Sequence, residues 1–182
     1  RINYKNRFGL NNQFPISLPF IGQWTVSQAH SGAHTHQEKW RHAWDFVILG
    51  ADGKQFTGEG LQARDYYCYG KPIVAPANGY VIEILDNIED NKIGEMNLTN
   101  NWGNSIVIKH AENIYTQISH LQKQSFKVAI GSYVKQGEIL GYCGNSGRSP
   151  FPHIHFQVQE TPYIGSGTLN YELSEYVLHT NE

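Results

Sequence analysis

The sequence has no apolar run approaching the roughly 18 residues that a membrane-crossing helix needs, so it offers no candidate helical span. It also lacks a dominant charge. Fourteen Lys and Arg against sixteen Asp and Glu give a formal net charge of -2. That leaves no basic field for nucleic acid and no basic face for an anionic membrane surface. Cysteine is limited to Cys68 and Cys143. Two thiols permit one disulfide or none and fix no redox compartment, and without a Cys–His signature both read as structural. No signal peptide is visible ahead of "RINYKNRFGL", which a mature or trimmed chain would share. There is no low-complexity tract, internal repeat or domain linker, and 182 residues fit a single domain. Helix signals are scarce. No H-E-x-x-H occurs, which excludes a zinc site built from one helix face with a Glu base.

What the sequence does have is turns and period-two patterning. Eighteen glycines and eleven tyrosines lean toward β structure. "GQWTVSQ" places Trp24 and Val26 on one face, and "AWDFVILG" reads as a buried strand. "KPIVAPANGYVIEIL" reads as strand, turn and strand, with Pro76, Asn78 and Gly79 at the turn. "NSIVIKHA" and "YTQISHL" form the next pair, short strands punctuated by glycines follow to Gly147, and "HIHFQVQE" closes the series. The expected class is mainly β, with antiparallel sheets, a groove and few or no helices. Two long polar loops interrupt the pattern, "SQAHSGAHTHQEKWRH" and "DNIEDNKIGEMNLTNNW". Loops of that length in a compact domain are often functional. After Glu160 the pattern weakens, and "NYELSEYV" suits a peripheral strand or a short helix.

Nine histidines in a chain of this size invite a metal reading. Zinc takes imidazole and carboxylate ligands, and a catalytic site uses three of them and leaves a fourth position open. The candidates fall on three segments: the His-rich loop up to Asp45, the strand end at His120, and His153-x-His155. On a strand, His153 and His155 face the same side. Asp45 sits in apolar surroundings, where an unpaired carboxylate is costly and a metal answers the cost. His42 lies three residues before Asp45, an odd offset that puts the two on opposite faces unless a bulge intervenes.

The segment from Tyr115 to Gln159 resembles the lysostaphin-type, or LytM-like, zinc endopeptidases. It supplies His120-Leu121; then Val128, Gly131, Val134, Gly137, Leu140 and Gly141; then Gly144, Ser146 and Gly147; then Pro152-His153-Ile154-His155-Phe156. "YGKPIVAPANGYVIEI" is similar to a further stretch of that pattern, and the resemblance covers about residues 24–159. Residues 1–23 then form an N-terminal extension and 160–182 a tail. One feature departs from the family: where many members place His four residues before the Asp, this chain has Arg41. The loop resembles a branch in which an upstream Thr-His precedes "A-x-D-F", which implies His36 as the first ligand, with His34 and then His30 as alternatives. The resemblance implies one zinc ion on His36, Asp45 and His155. It makes His120 and His153 the catalytic pair, either of which would be the general base. It further implies hydrolysis of peptide bonds in peptidoglycan stem or bridge peptides outside the cytoplasm.

Rival readings remain open at this level. They are a non-catalytic relative that binds cell-wall peptide or regulates another hydrolase, a secreted metalloprotease acting on other proteins, and a phosphotransfer-type β domain using a His pair. His30, His34, His42, His110 and His179 read as solvated or structural. Asn104 reads equally as a substrate contact and as a turn residue, and Ser146 and Ser149 as loop-shaping residues near the His pair. The tyrosines of "ARDYYCYG" read as packing. The sequence carries no signal for oligomeric state.

Overall fold

The computed structural model describes residues 14–32 and 35–174. Its strands are β1 (Thr25–Gln28), β2 (Trp44–Val47), β3 (Pro72–Val74), β4 (Gly79–Leu85), β5 (Asn104–Ala111), β6 (Ile114–Leu121), β7 (Tyr133–Val134), β8 (Ile139–Tyr142) and β9 (Ile154–Gln159). Seven form one antiparallel sheet in the order β1-β2-β9-β6-β5-β4-β7, while β3 and β8 form a second, two-stranded sheet. Among the described residues there is no α-helix, only single 3-10 turns at Glu38–Trp40 and Ala63–Asp65. The mainly antiparallel β architecture expected from period-two patterning is what the chain adopts.

Strand β9 shows why. In "IHFQVQ", Ile154, Phe156 and Val158 face the core between the two sheets, and the alternate residues His155, Gln157 and Gln159 face away from it. All six are buried, because loops cover the polar face. Ile106, Ile108 and Ile118 extend the core layer on β5 and β6. Ile73, Leu140, Cys68 and Cys143 join the same cluster from the side of the small sheet. The two cysteines are buried free thiols, and Cys68 Sγ donates to Pro152 O at 3.1 Å. The tyrosine-rich stretch packs as expected at Tyr66, which is buried, while Tyr69 donates to Asp90 at 2.7 Å.

Two sequence expectations need correction. The strands of "KPIVAPANGYVIEIL" exist but do not pair with each other: β3 pairs with β8, and β4 with β5 and β7. The backbone between them is bonded elsewhere, with Ala75 N donating to Glu138 O and Gly137 N to Ala75 O, both at 2.9 Å. The intervening turn therefore passes the chain from one sheet to the other. The tail after Glu160 forms neither helix nor strand up to Ser174, apart from a single bridge between Gln159 and Thr168. Instead, Ser174 N bonds Ile16 O and Tyr171 bonds Phe14 O, tying the tail to the first described residues. The last three residues of "NYELSEYV", and His179, lie outside the described residues.

His110 gives a stability prediction. Its Nδ1 faces Asn78 O and its Nε2 faces Thr116 Oγ1, each at 2.8 Å. Burial pushes its pKa down from an ordinary 6.5 to about 4, against the opposing hydrogen bond to Asn78. The folded state thus binds this proton less readily than the unfolded state. The stability linked to His110 is complete above pH 6.5 and is lost as pH falls toward about 4. Urea melts across that window should show a flatter pH dependence for His110→Gln than for the parent. Parallel curves would remove His110 as the cause.

Candidate metal centre

The register of the large sheet brings the first two residues together. Asp45 on β2 pairs with His155 on β9, which pairs in turn with Ser119 on β6. The connection from β1 to β2 folds back through Ser31 N donating to Arg41 O at 2.7 Å, and it delivers His36 fully buried beside Asp45. His36 Nε2 lies 3.1 Å from Asp45 Oδ1, and His155 Nδ1 lies 3.0 Å from the same oxygen. The other carboxylate oxygen, Oδ2, accepts from Gln28 Nε2 at 3.0 Å. The three candidate ligand atoms lie within 4.8 Å of one another.

Hydrogen-bond accounting shows what this cluster requires. His36 Nδ1 faces the carbonyl of Ala29 at 3.0 Å, so that nitrogen carries the hydrogen. His155 Nε2 faces Gln157 Oε1 at 2.9 Å and donates there. In the neutral rings, the remaining nitrogen of each therefore directs a lone pair at Asp45 Oδ1, itself an acceptor. Three electron pairs meet with no hydrogen between them, so either a proton or a cation must occupy the gap. The proton answer appears in the acid–base behaviour. Burial opposes the Asp45 carboxylate, but hydrogen bonds from His155 and His36 and positive charge at His153 and His155 outweigh it, holding its pKa well below the usual range. Burial likewise works against charging His36, yet the Asp45 hydrogen bond and charge raise its pKa. The cation answer matches the donor set: two imidazoles and a carboxylate are a catalytic zinc set with one position left open. The residues fit that ion.

His120 and His153 stand beside this cluster with their rings 4.7 Å apart. His120 reaches it through a bulge. Asn104 pairs with Leu121 and Ile106 with Ile118, so Ser119 and His120 together oppose Ser105. The extra residue turns His120 onto the polar face while Ile118 and Leu121 both stay in the core. His120 takes the left-handed conformation, φ 68°, which is uncommon for a residue with a side chain and is held by its surroundings. Its Nδ1 donates to Ser146 O at 2.8 Å. Burial, and then positive charge at His153 and His155, pushes its pKa well below the ordinary value. His153 Nδ1 donates to Phe151 O at 2.8 Å, with Ser149 Oγ at 3.0 Å, and its Nε2 lies 4.0 Å from Asp45 Oδ1.

The two long loops build the walls. The 86–102 loop is stitched to the turn before His153 by Asn91 Nδ2, which donates to Gly147 O at 2.7 Å and Ser149 O at 3.0 Å. Their closest approach needs glycine on both sides. A Cβ on Gly147 would lie 2.3 Å from Gly103 N, and one on Gly103 would lie 2.4 Å from Ser146 O. The pocket over the cluster is lined by His36, Asp45, His120, His153 and His155, and also by Trp40, Trp102, Thr35, Asn101 and Arg148. These last five were missed in the sequence. Trp40 and Trp102 meet edge to face at 5.7 Å, and two tryptophans in otherwise polar loops were the available signal.

The remaining sequence candidates fall elsewhere. His30 meets Trp44 with tilted rings at 4.5 Å and His42 edge to face at 5.1 Å. Trp44 belongs to the core, on the opposite face of β2 from Asp45. His34 lies outside the described residues. Asn104, considered as a substrate contact, is fully buried away from the pocket. It accepts from Ile88 N and donates to Ile88 O and Leu121 O, at 2.8–3.0 Å, so its amide is consumed in fastening the 86–102 loop to the sheet. Ser146 Oγ accepts from Asn104 N and donates to Leu121 O, the loop-shaping role expected of it.

Known proteins share the fold and the segments that carry His120, His153 and His155. The model of Peptidase family M23 matches residues 60–166. Lysostaphin of Staphylococcus simulans is 39% identical over 134 residues, which is 70% of this chain and 24% of that protein. The peptidoglycan DD-endopeptidase ShyC of Vibrio cholerae is 33% identical over 88 residues, 48% of this chain and 17% of its own length. The DD-carboxypeptidase/endopeptidase Mpg of Neisseria meningitidis is 38% identical over 58 residues, 32% of this chain and 13% of its own. The chain thus spans less than a quarter of each of these relatives. Among solved structures, the catalytic domain of the prophage-encoded M23 protein EnpA from Enterococcus faecalis superposes with TM-score 0.53 at 21% identity, covering 85% of this chain and 94% of that one. A zinc-containing peptidase from Vibrio cholerae gives TM-score 0.54 at 20% identity, covering 81% of this chain and 37% of that one, and both likenesses concern the fold. The matched residues 60–166 hold strands β3 to β9 with the His120 and His153-x-His155 segments, more than half of the chain, and the chain belongs to peptidase family M23.

Proposed function

We propose that this chain is a zinc-dependent endopeptidase that hydrolyses peptide bonds in peptidoglycan, acting outside the cytoplasm. The observation that carries the reading is the convergence of His36 Nε2, Asp45 Oδ1 and His155 Nδ1, three electron-pair donors within 4.8 Å, at the floor of a pocket that also holds His120 and His153. His36, Asp45 and His155 would hold one zinc ion. The ion supplies Lewis acidity, lowering the pKa of a water toward about 7 and polarising a carbonyl oxygen. The substrate class is taken from relatives named as peptidoglycan or glycyl-glycine endopeptidases.

The chain's own residues do the rest. His120 and His153 each commit Nδ1–H to a backbone carbonyl, which leaves Nε2 as the working atom. Neutral, it accepts a proton from the attacking water; protonated, it donates a hydrogen bond to the oxyanion that develops from the scissile carbonyl. The depressed pKa of His120 keeps it neutral and ready to accept at neutral pH. Trp40 and Trp102 supply flat apolar walls for an extended peptide. The functional unit takes in residues 24–159 together with the turn at 161–166, whose Gly165 O accepts from Trp40 Nε1 at 3.0 Å.

The test is metal analysis of native protein alongside digestion of purified peptidoglycan, with product masses read by mass spectrometry. The expected result is about one zinc per chain and release of fragments with new amino and carboxyl termini. Zinc below about 0.2 equivalents with all ligands intact sinks the metal reading. Full zinc with no cleavage of peptidoglycan, but cleavage of an unrelated protein, sinks the substrate reading.

A further inference from the structure

The hydrogen-bond accounting that defines the metal centre does not end at His155. Beyond its Nε2 lies Gln157 Oε1 at 2.9 Å. Gln157 spends its amide nitrogen on Gln159 Oε1 at 2.7 Å and Ser166 O at 2.9 Å. Gln159 in turn spends its amide nitrogen on Thr161 O at 2.8 Å and Tyr163 O at 2.9 Å. A backbone carbonyl can only accept, so the terminal carbonyls fix the orientation of Gln159. That fixes the orientation of Gln157, which must present its oxygen to His155. His155, Gln157 and Gln159 occupy alternate positions on one face of β9, and all three are buried. Water therefore has little access with which to scramble the order.

We propose that Gln157 and Gln159 are positioning residues of the metal centre, a one-way polar relay that holds His155 as its Nε2–H tautomer and so keeps the Nδ1 lone pair aimed between Asp45 and His36. This goes beyond the choice of ligands and rests on the zinc reading only for its consequence, metal affinity. A neutral histidine in water populates both tautomers, and only one of them can bind an ion through Nδ1. The anchor of the relay is the 161–166 turn. That turn is held independently by Gln117 Oε1, which accepts from Gly165 N at 2.7 Å, and by Glu83 Oε2, which accepts from Ile164 N at 2.9 Å.

Gln117 provides the internal control. It is fully buried, pairs with Gln157 across the sheet, and touches the same turn, yet its amide nitrogen goes to Ser119 Oγ at 2.8 Å and not to His155. A structural role alone would make Gln117→Leu and Gln157→Leu equivalent. The relay makes them different.

The experiment compares the parent with Gln157→Leu, Gln159→Leu and Gln117→Leu. The His155 tautomer is read by nitrogen-15 NMR of the metal-free protein, and zinc affinity by competition with a chromophoric chelator. At a pH where the ring is neutral, the parent should show Nε2–H and a bare Nδ1 at His155. Gln157→Leu should show mixed tautomers and bind zinc about 10- to 100-fold more weakly, the range found when the outer partner of a ligating histidine is removed. Gln159→Leu should lie between the two, because Gln157 keeps Ser166 O, and it gives a reading even where Gln157→Leu folds poorly. Gln117→Leu should keep the tautomer and lose far less affinity than Gln157→Leu, because Glu83 still holds the turn. Unchanged tautomer and affinity in Gln157→Leu, or an equal loss in Gln117→Leu, overturns the relay. A parent that binds no zinc overturns the function proposed above, and the tautomer comparison then decides the relay by itself.

Discussion

Replacing His36 with alanine empties the centre of zinc and lowers peptidoglycan hydrolysis by at least about 10³-fold, while His30→Ala and His42→Ala leave both near parent levels. The magnitude follows from the several kcal/mol that a Lewis-acidic ion contributes to transition-state stabilisation, at about 1.4 kcal/mol per tenfold in rate. The specificity follows from geometry. Among the described loop histidines, His36 is the one whose ring nitrogen reaches Asp45 Oδ1, at 3.1 Å, and its other nitrogen is already tied to Ala29 O. His30 meets both His42 and Trp44, and Trp44 lies on the far face of β2. Metal content by mass spectrometry and turnover on the same preparations check the outcome. If His34→Ala removes zinc and His36→Ala does not, the ligand assignment in this loop is wrong. A loss of fold is separated from a loss of metal by the melting curve without added zinc, since an ion that binds only the native state stabilises only when present.

The fold and the site were legible to different degrees, for physical reasons. Strand β9 could be read directly, because alternation of Ile154, Phe156 and Val158 with polar residues is the period of a pleated strand. The same alternation placed His153 and His155 on one side. Pairing was harder. Nothing local in "KPIVAPANGYVIEIL" says that its two strands enter different sheets, because that choice is made by residues 137 and 138, some sixty positions away. The bulge at His120 was hidden as well. It shows only as Ile118 and Leu121 sharing the core at an odd spacing, which strict alternation forbids and a bulge restores. His36 could be selected among the loop histidines by family resemblance, and its burial beside Asp45 comes from a backbone turn that no periodicity encodes. The pocket walls, Trp40 and Trp102, sit in loops where neither period applies.

The second large effect separates holding the metal from using it. His153→Ala and His120→Asn should each retain about one zinc per chain yet lose turnover by about 10²- to 10⁴-fold, the usual contribution of a positioned general acid or base. Neither ring nitrogen belongs to the converging set: His153 Nε2 stands 4.0 Å from Asp45 Oδ1, whereas His36 and His155 stand at 3.1 and 3.0 Å. Asparagine is the informative replacement at residue 120, because the backbone there has φ 68° and Asn tolerates the left-handed region better than other side chains. A loss of activity in that variant then reports the missing imidazole and not a rebuilt bulge. The His153 variant should also expose the pH response of His120. Burial, followed by positive charge at His153 and His155, holds His120 neutral to a pH below the ordinary histidine range. In His153→Ala the charge at residue 153 is gone but burial, the larger cause, remains, so the residual activity should persist on acidification further than an ordinary histidine base would allow, until protons displace the metal. Turnover near the parent level in His153→Ala would remove that residue from the catalytic pair and leave His120 as the base by itself. Loss of zinc in either variant would instead make that histidine a ligand and return the choice between His36 and its neighbours to the first experiment.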